Sequence, residues 1–215
     1  MKFTPVLLFL ALIAPRLAAQ EVISPKTYIE LFDGRDFTGW TFCMRSNADP
    51  ALAWTVTNAV IHCTGKPSGY LRTTQSYSNY VLTVEWRFVK VAPKADNTGV
   101  LIHLQPPDKV WPVCIQVQGR HEHQGDLFFM AGAEAKEHRG QDANTPVPKN
   151  GPANEKPVGE WDVVKTVCDG ATVKAYVNDK LMNEATGCTV SSGFIGFQSE
   201  GGEFEIRKVI LDPLK

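Results

Sequence analysis

Polar residues occupy every second position in three segments of the chain, 82–88, 100–105 and 113–120. Alternate side chains of a β-strand point to opposite faces of a sheet, so the pattern predicts three strands with one apolar face each. If the three strands share a sheet, the polar face is either a sugar-binding and proton-transfer surface or a solvated exterior. Its members are Thr83, Glu85, Arg87, His103, Gln105, Gln116, Gln118 and Arg120. The residues predicted to face the core are Leu82, Val84, Trp86, Phe88, Val100, Ile102, Leu104, Val113, Ile115 and Val117.

Strand signals recur from residue 28 to the C-terminus, and no segment shows a sustained helical period with caps. The strongest hairpin signal is Asp169-Gly170, between the apolar runs 161–168 and 172–177. Many short strands with glycine and proline turns predict an all-β sandwich or jelly roll in a single domain. The polar stretch 133–158 is predicted to be an excursion loop, either a lid beside a site or a disordered surface insert.

Length and charge narrow the class of protein. A chain of 215 residues suits one domain with its own core, and a formal net charge of -1 gives no electrostatic case for nucleic acid. Lys2, the apolar run 6–13 and the small residues 17–19 resemble a secretory signal, which we expect to be removed. The run is shorter than the roughly 20 residues of a membrane span, although a retained anchor is the alternative. We therefore expect cleavage of residues 1–19 to give a periplasmic or secreted protein that has one domain, residues 24–215, and no membrane association.

The five cysteines, an odd number, leave at least one thiol unpaired within the chain. Cys43 and Cys63 are candidates for a disulfide across an early hairpin, which export would permit. Cys168 ends a strand-like run and is predicted to be a buried apolar filler. The pairing of the cysteines stays open at this point.

The first segment offers Glu85 as a carboxylate base and Arg87 as a group that binds hydroxyls or a developing oxyanion. The alternative is a cross-strand ion pair of little energetic value. His103 is a candidate general acid or base because its ordinary pKa is near neutral. A hydrogen-bonded structural histidine is the alternative.

The loop after the third segment carries His121 and His123, an H-x-H pair that can bind a metal ion. The pair lacks a clear third ligand, and zinc normally takes three protein donors, so a polar rim is favoured and no cofactor is expected. Asp126 ends this loop and can orient a histidine or a sugar hydroxyl. Asn97 either places an amide at the edge of a cleft or belongs to a plain turn.

Two enzyme classes are disfavoured. The chain has no G-x-S-x-G elbow, which argues against an α/β-type serine hydrolase. It also lacks the E-x-D-x-x-E strand motif of laminarinase-like retaining glucanases, which need two carboxylates at a fixed separation.

Several short motifs in order resemble one family. The 3-keto-disaccharide hydrolase family, also described as 3-keto-glucoside-1,2-lyase or 3-keto-2-hydroxy-glucal hydratase, has matching segments over nearly all of residues 24–215. The segments are Leu31-Phe32-Asp33-Gly34 with Trp40, Trp54-Thr55-Val56, Gly69-Tyr70-Leu71-Arg72-Thr73, Asn97-Thr98-Gly99-Val100, Gly159-Glu160-Trp161-Asp162, Gly193-Phe194-Ile195-Gly196-Phe197-Gln198-Ser199-Glu200-Gly201 and Ile206-Arg207-Lys208-Val209.

The resemblance implies a concanavalin A-like jelly-roll sandwich of two antiparallel sheets. It also implies an enzyme that removes the C2 proton of a 3-keto-glucoside, expels the C1 oxygen and hydrates the product. Glu85 or His103 is then the base, since Gln116 stands where the family has glutamate and an amide cannot be a general base. The residues expected to bind the sugar are Arg87, Asn97, Gln105, Trp111, Gln116, Gln118, Arg120 and Asp126.

Gln116 also favours an alternative, a non-catalytic carbohydrate-binding, lectin-like module on the same fold. A structural domain of a cell-surface complex is a third reading. In either of the first two cases the expected partner is a carbohydrate, oxidised at C3 if the protein is the enzyme. Trp111 stacks on a sugar ring in these readings, or else belongs to the core.

Overall fold

The computed structural model describes residues 21–90, 97–142 and 144–215, so the predicted export signal, residues 1–19, lies outside the described residues. Sixteen strands and two short 3-10 helices (Arg45–Asn47 and Pro50–Leu52) make up the regular structure of these residues. The strands are β1 (Val22–Ile23), β2 (Ile29–Glu30), β3 (Trp40–Met44), β4 (Trp54–Thr57), β5 (Val60–Cys63), β6 (Gly69–Thr73), β7 (Ser76–Tyr77), β8 (Tyr80–Phe88), β9 (Gly99–Leu104), β10 (Cys114–Gln118), β11 (Leu127–Met130), β12 (Asp162–Asp169), β13 (Thr172–Val177), β14 (Lys180–Ala185), β15 (Phe194–Ser199) and β16 (Phe204–Pro213).

Two antiparallel sheets form the sandwich. One sheet has six strands in the order β11-β10-β9-β15-β6-β3, and the other has eight, β14-β13-β12-β8-β16-β5-β4 with β2 beside β16. A separate parallel pair joins β1 to β7. The predicted hairpin at Asp169-Gly170 is confirmed, because β12 and β13 pair down to Asp169 and Thr172. The predicted all-β sandwich of antiparallel sheets is confirmed as well.

The core lies between the two sheets. Val84 and Trp86 of the eight-stranded sheet belong to one buried cluster with Ile115 and Val117 of the six-stranded sheet. Each large apolar side chain that is removed from water in this way stabilises the fold by about 1.5–3 kcal/mol. Gly119 is needed next to β10, because a Cβ there would come within 1.9 Å of the Trp86 ring.

The condition that the three alternating segments share a sheet is not met. β8, which carries Glu85 and Arg87, belongs to the eight-stranded sheet, whereas β9 and β10 belong to the six-stranded sheet. Because the apolar sides of both sheets face each other, their polar sides point to opposite exteriors of the sandwich. Glu85 and Arg87 therefore lie on the other side of the molecule from Gln116 and Gln118.

A β-bulge interrupts the alternation in β9. Its register against β15 shifts between Phe194 and Gly196, and His103 at the bulge has a φ of +54°. One extra residue in a strand reverses the faces of the residues beyond it. Leu104, predicted to face the core, consequently packs in a second cluster on the outer side of the sheet, with Tyr70, Leu101, Cys114 and Phe194.

The described part of the predicted excursion loop packs against the edge of the sandwich. Val147 exchanges both backbone hydrogen bonds with Leu127 of β11, at 2.8 and 2.9 Å. Asn150 N donates to the carbonyl oxygen of Met182 in β14 at 2.6 Å. This packing brings Asn144 to the outer face of the six-stranded sheet.

All five cysteines are free thiols. The candidate disulfide between Cys43 and Cys63 is wrong, because Cys43 lies on β3 of one sheet and Cys63 on β5 of the other. Cys168 is buried in the core cluster, as predicted. No helix among the described residues is long and apolar enough to cross a membrane.

Candidate functional site

A pocket of about 240 Å³ opens on the outer face of the six-stranded sheet, which we call the Glu200 pocket. It is smaller than the roughly 300–1,000 Å³ of sites for drug-sized ligands, which suits a ligand about the size of one sugar ring. Amides and one carboxylate make up its polar lining, and two aromatic rings and one thioether make up the apolar part. The lining residues are Asn97, Trp111, Gln116, Gln118, Phe128, Met130, Asn144, Gln198 and Glu200.

Strand alternation and register bring the amides together. Gln116 follows core residue Ile115, and Gln198 follows core residue Phe197, so both amides point outward. Gly99 lies between their strands, and a Cβ there would come within 2.5 Å of Gln116 Nε2. The glycine of the Asn97-Thr98-Gly99 segment therefore leaves the space that the Gln116 side chain occupies.

A chain of hydrogen bonds runs through these amides to Glu200. Gln116 Nε2 donates to Gln198 Oε1 at 2.9 Å, and Gln198 Nε2 donates to Glu200 Oε2 at 2.8 Å. Asn97 Nδ2 donates to the same carboxylate oxygen at 2.5 Å. Gln116 has a second N–H whose contacts, to Thr98 O and Gln118 Oε1, are long at 3.5 Å. A ligand acceptor at an ordinary distance of about 2.9 Å would make a stronger hydrogen bond with this N–H than either of these contacts.

Burial and hydrogen bonding act against each other on Glu200. Its partial burial raises the pKa of the carboxyl above the ordinary value of 4.5, outweighing the Asn97 hydrogen bond and the charge of Arg45, which both lower it. A carboxylate with a raised pKa is a better proton acceptor than an ordinary one. Glu200 is thus a carboxylate in a pocket, oriented by amides that do not neutralise it.

Sequence reasoning missed Glu200 and Gln198 as site residues. Both stand in the Gly193–Gly201 motif, two positions apart like Gln116 and Gln118 in β10. The residue between them is the polar Ser199 where β10 has Val117, so the polar–apolar alternation that selected Gln116 and Gln118 is incomplete here.

Trp111 reaches the pocket from the loop that joins β9 to β10. It is half-buried and its backbone has a φ of +64°, in the left-handed region that large side chains rarely adopt. Such conformations concentrate at functional sites. Trp111 thus lines the pocket and is not among the residues of the two buried core clusters.

Gln118 and Arg120 have different places. Gln118 lines the pocket, but its Oε1 accepts the backbone N–H groups of Gly119 and Arg120 at 2.8 and 2.9 Å. Its amide oxygen therefore fixes the end of β10. Arg120 is exposed and is not among the residues that line the pocket.

Glu85 lies on the opposite exterior of the sandwich. Arg207 Nε donates to its Oε2 at 2.7 Å, and Lys208 Nζ lies 3.4 Å from its Oε1. Partial burial acts to raise the pKa of Glu85, but the Arg207 hydrogen bond and the two cationic charges outweigh it and lower the pKa. The structure gives this carboxylate two cationic partners and does not bring it to the Glu200 pocket.

Arg87 is likewise committed on that exterior. Its Nε donates to Glu205 Oε2 at 2.7 Å, and its guanidinium lies 4.4 Å from the centroid of the Trp161 ring. Arg207 lies 4.5 Å from the same ring centroid. The small polar pocket beside Arg87, about 280 Å³, is therefore bounded by a charge that already has a partner.

His103 lies inside the sandwich. The bulge turns its ring toward Tyr80, with the ring centroids 5.8 Å apart, and Nδ1 donates to the carbonyl oxygen of Val190 at 3.2 Å. Burial lowers the pKa of His103 to about 4, despite the Val190 hydrogen bond. Nε2 is buried and has no partner among the described residues. A neutral, enclosed imidazole matches the structural alternative for this residue.

The remaining predicted residues also lie outside the pocket. Gln105 Nε2 donates to the carbonyl oxygens of His103 and Ser192, at the base of the β9–β10 loop. Asp126 accepts the backbone N–H of Lys149 at 2.7 Å and lies 3.1 Å from His123 Nδ1.

The two loop histidines contact different carboxylates, since His121 Nδ1 lies 3.0 Å from Glu155 Oε2 and His123 pairs with Asp126. Glu155 also accepts the backbone N–H of Glu122 at 2.8 Å. Within residues 21–90, 97–142 and 144–215, no group of three or more histidine, cysteine or acidic side chains is arranged to hold a metal ion.

Solved structures share this fold at low sequence identity. A Parabacteroides distasonis protein assigned as a glycosyl hydrolase superimposes with a TM-score of 0.64 at 20% identity, over 88% of this chain and 95% of that one. The carbohydrate binding module CBM66 from Bacillus subtilis gives 0.58 at 14% identity, over 81% and 95%. Bacillus licheniformis β-glucanase gives 0.56 at 14% identity, over 87% and 97%. These likenesses establish the jelly-roll sandwich fold.

Sequence comparison identifies the family. No curated protein matches the chain. The model of the 3-keto-alpha-glucoside-1,2-lyase-like domain matches residues 27–211, which is nearly all of the described sandwich. The chain therefore belongs to the 3-keto-alpha-glucoside-1,2-lyase-like domain family, and its function is carbohydrate-related.

Proposed function

We propose that this protein cleaves 3-keto-glucosides in the Glu200 pocket by elimination followed by hydration. One observation carries the proposal: a carboxylate with a raised pKa stands in a sugar-sized pocket, surrounded by amide groups and an aromatic ring. Family membership supports the substrate class. The polar groups match those that the chemistry needs, a base near C2 and N–H donors for an enolate oxygen.

The reaction proceeds in two stages. The C3 ketone acidifies the proton on C2, and a base removes it to give an enolate. The enolate electrons re-form the ketone as the C1–O bond breaks, which leaves an unsaturated 2-hydroxy-3-keto-glucal and a leaving group that takes up a proton. Water then adds across the C1–C2 double bond, so the net reaction is hydrolysis of the glycosidic bond.

Glu200 is the base in this proposal. It takes the C2 proton and can pass it to the departing O1 oxygen, so that one carboxyl serves as base and then as acid. The hydrogen bonds from Asn97 and Gln198 are both made to its Oε2, and we assign Oε1 as the oxygen that takes the proton. Glu200 replaces Glu85 and His103 in this role because those two residues lie on the opposite exterior and in the interior.

Gln116 supplies the donor for the enolate oxygen. Its Nε2 has one short hydrogen bond, to Gln198, and two long contacts at 3.5 Å that an enolate oxygen would replace. Removing one preorganised donor of this kind typically lowers kcat by about 10²–10³-fold. A glutamine at this position is thus compatible with catalysis, because the proposed proton acceptor, Glu200, directly follows β15. Trp111 provides the ring on which the sugar stacks.

The test uses a 3-keto-glucoside with a chromogenic aglycone and deuterium at C2. Turnover should release the aglycone, produce the ultraviolet absorbance of the glucal and transfer the deuterium to solvent. The matching glucoside with a C3 hydroxyl should not react, because its C2 proton is not acidic. Saturable binding of that glucoside without turnover of the keto-substrate would reject the enzyme and favour a sugar-binding module.

We also propose that residues 1–19 direct export of the chain to the periplasm or medium. The support is the charged start, apolar run and small residues of the sequence. Mass spectrometry of the protein from a cell fraction tests this. A mature N-terminus near Gln20 outside the cytoplasm is expected, and an intact Met1 in the cytoplasm would contradict it.

A further inference from the structure

The loop between β9 and β10, residues 105–113, carries Trp111 to the Glu200 pocket and a second residue, Asp108, to a different part of the same face. The loop is closed at its base by a hydrogen bond from Gln105 N to the carbonyl oxygen of Val113, at 2.9 Å. Its tip is tied to the sheet through Asp108. Three positions separate Asp108 from Trp111, so the place of one restricts the place of the other.

Asp108 receives three hydrogen bonds from the sheet. Arg72 Nε donates to Oδ1 at 2.7 Å, and Arg72 Nη2 donates to Oδ2 at 2.6 Å. The hydroxyl of Tyr70 donates to Oδ1 at 3.0 Å. A bidentate pair between a guanidinium and a carboxylate fixes orientation as well as distance.

The sheet holds Arg72 ready for this contact. Its guanidinium lies 3.8 Å from the centroid of the Phe194 ring, and its Nη1 donates to the carbonyl oxygen of Thr73 at 2.8 Å. Only 13% of the Arg72 side chain is exposed. Because the Arg72 side chain is already restricted, it loses little further conformational entropy when it binds Asp108 in the loop.

Trp111 needs an external restraint. Its left-handed backbone is a conformation that persists in large residues only where the surroundings impose it. The hydrogen bonds of Asp108 are a restraint of this kind within the same loop. The Arg72 hydrogen bond lowers the pKa of Asp108 below its ordinary value despite partial burial, so this carboxyl stays ionised to a lower pH than an ordinary aspartate.

We propose that Asp108 is a positioning residue, which through its bidentate pair with Arg72 holds Trp111 against the Glu200 pocket and so sets the affinity for the sugar. This inference rests on the proposed function for its kinetic consequence. Its structural consequence, the position of Trp111, does not depend on what reaction takes place. The contrasting reading is a pair that fastens the loop without affecting the pocket.

The structural test is quenching of tryptophan fluorescence by acrylamide in four full-length proteins: the wild type, Asp108→Ala, Trp111→Phe and the double variant. The Trp111 contribution is the difference between each protein and its Trp111→Phe partner. We expect this contribution to become at least roughly twofold more accessible when Asp108 is absent. Equal accessibility with and without Asp108 would overturn the inference.

The kinetic test measures kcat and KM on the 3-keto-glucoside for the same four proteins. We expect Asp108→Ala to raise KM roughly tenfold while kcat changes less than about twofold, because the chemical groups of the pocket stay in place. Asp108→Glu, which keeps the acceptor charge, should restore much of the affinity. In the Trp111→Phe background, Asp108→Ala should have at most about a twofold effect, and full additivity would overturn the inference.

Glu205→Gln is the matched control, because it breaks an arginine–carboxylate pair beside an aromatic ring on the opposite exterior. It should leave both the Trp111 quenching and the KM as in the wild type. Absence of turnover in the wild type together with the expected quenching difference would reject the proposed function alone. Turnover without a quenching difference or a KM change would reject the role of Asp108 alone.

Discussion

Two carboxylates on opposite exteriors of the sandwich, Glu85 and Glu200, have different kinds of partner. On the eight-stranded sheet, Glu85 contacts Arg207 and Lys208, which are both cationic. On the six-stranded sheet, the amide N–H groups of Asn97 and Gln198 hold Glu200. The pKa of Glu85 is consequently lowered, whereas that of Glu200 is raised.

The difference shows what makes a carboxylate available for chemistry. A guanidinium or ammonium group stabilises the charged form, which reduces its tendency to accept a proton. An amide orients a carboxylate with a weaker effect of this kind, and burial then dominates. On the eight-stranded sheet, Glu85 and Arg87 already have partners of opposite charge. On the six-stranded sheet, the Glu200 pocket offers a carboxylate held by amides and the Gln116 side-chain N–H whose other contacts are long.

The largest expected effect separates these two carboxylates. Glu200→Gln should lower kcat on a 3-keto-glucoside by about 10²–10⁴-fold, because it removes the proton acceptor. Glutamine has the same shape as glutamate, and its amide oxygen can still accept the hydrogen bonds from Asn97 and Gln198. Glu85→Gln should leave kcat within about twofold of the wild type. Steady-state kinetics on both purified variants, with circular dichroism to check folding, measures the contrast.

The control for this comparison is the release of deuterium from C2. Glu200→Gln should abolish exchange of the C2 position with solvent, since exchange needs only the first proton transfer. If Glu85→Gln lost activity and Glu200→Gln kept it, the assignment of the active exterior would be reversed.

Much of the fold could be predicted from local pattern. Alternation in segments such as 82–88 and the Asp169-Gly170 turn reflect interactions between near neighbours, and both were found as expected. The sheet to which each strand belongs is a different matter. β8 pairs with β12 and β16, which are far away in sequence, and alternation contains no information about such partners. Glu85 and Gln116 were therefore placed on one face although they occupy two.

The sequence predicted part of the lining of the candidate pocket, for two physical reasons. Asn97, Gln116, Gln118 and Trp111 reach the pocket because they lie on or beside the strands β9 and β10. His103 does not, because one bulge residue changes the face to which a side chain points, and a bulge has no reliable local signal. Histidine adopts a left-handed φ more readily than most residues do, but this preference is too weak to predict a bulge from the sequence.

The second-largest expected effect is on the pH dependence of stability. It concerns His103, which lies inside the sandwich and on neither exterior. The folded pKa is about 4 and the ordinary value is 6.5, so the unfolded state binds more protons between these values and stability falls as pH falls. The gap is worth roughly 3 kcal/mol when fully expressed. Urea unfolding near pH 7 and near pH 4 should show that His103→Asn, which tolerates a left-handed φ and does not titrate, lacks this loss.

Other groups also titrate in acid, so the quantity to compare is the change with pH, not stability at one pH. Equal losses in the wild type and His103→Asn would mean that the imidazole is not held neutral by burial. A drop in kcat that follows a single group near neutral pH and disappears in His103→Asn would return the histidine to the catalytic machinery.

The third expected effect is a shift in the pH dependence of kcat, and it tests how Asn97 influences the pKa of Glu200. The Asn97 hydrogen bond lowers the pKa of Glu200, so Asn97→Ala should raise that pKa further. A base with a higher pKa is ionised at higher pH, and the variant should lose roughly two- to tenfold of its relative rate at the acidic end of the profile. The pH dependence of kcat measures the displacement. A uniform decrease at every pH would assign Asn97 to substrate binding alone.

The smallest effect tests how little the paired exterior contributes. Glu85→Gln should destabilise the fold by at most about 1 kcal/mol near neutral pH, because partly exposed ion pairs offset their attraction by desolvation and side-chain ordering. The folded pKa of Glu85 is lowered, so this stability is present above the ordinary value of 4.5 and is lost as pH falls through the lowered folded value. Urea unfolding of both proteins near pH 7 and near pH 3 should therefore show curves that differ slightly at the first pH and converge at the second.

High salt should reduce the difference at neutral pH as well, since it screens exposed charges. A loss of several kcal/mol that persisted in acid would mean that Glu85 holds the sheet by packing, and the contrast between a paired and an available carboxylate would then need another cause.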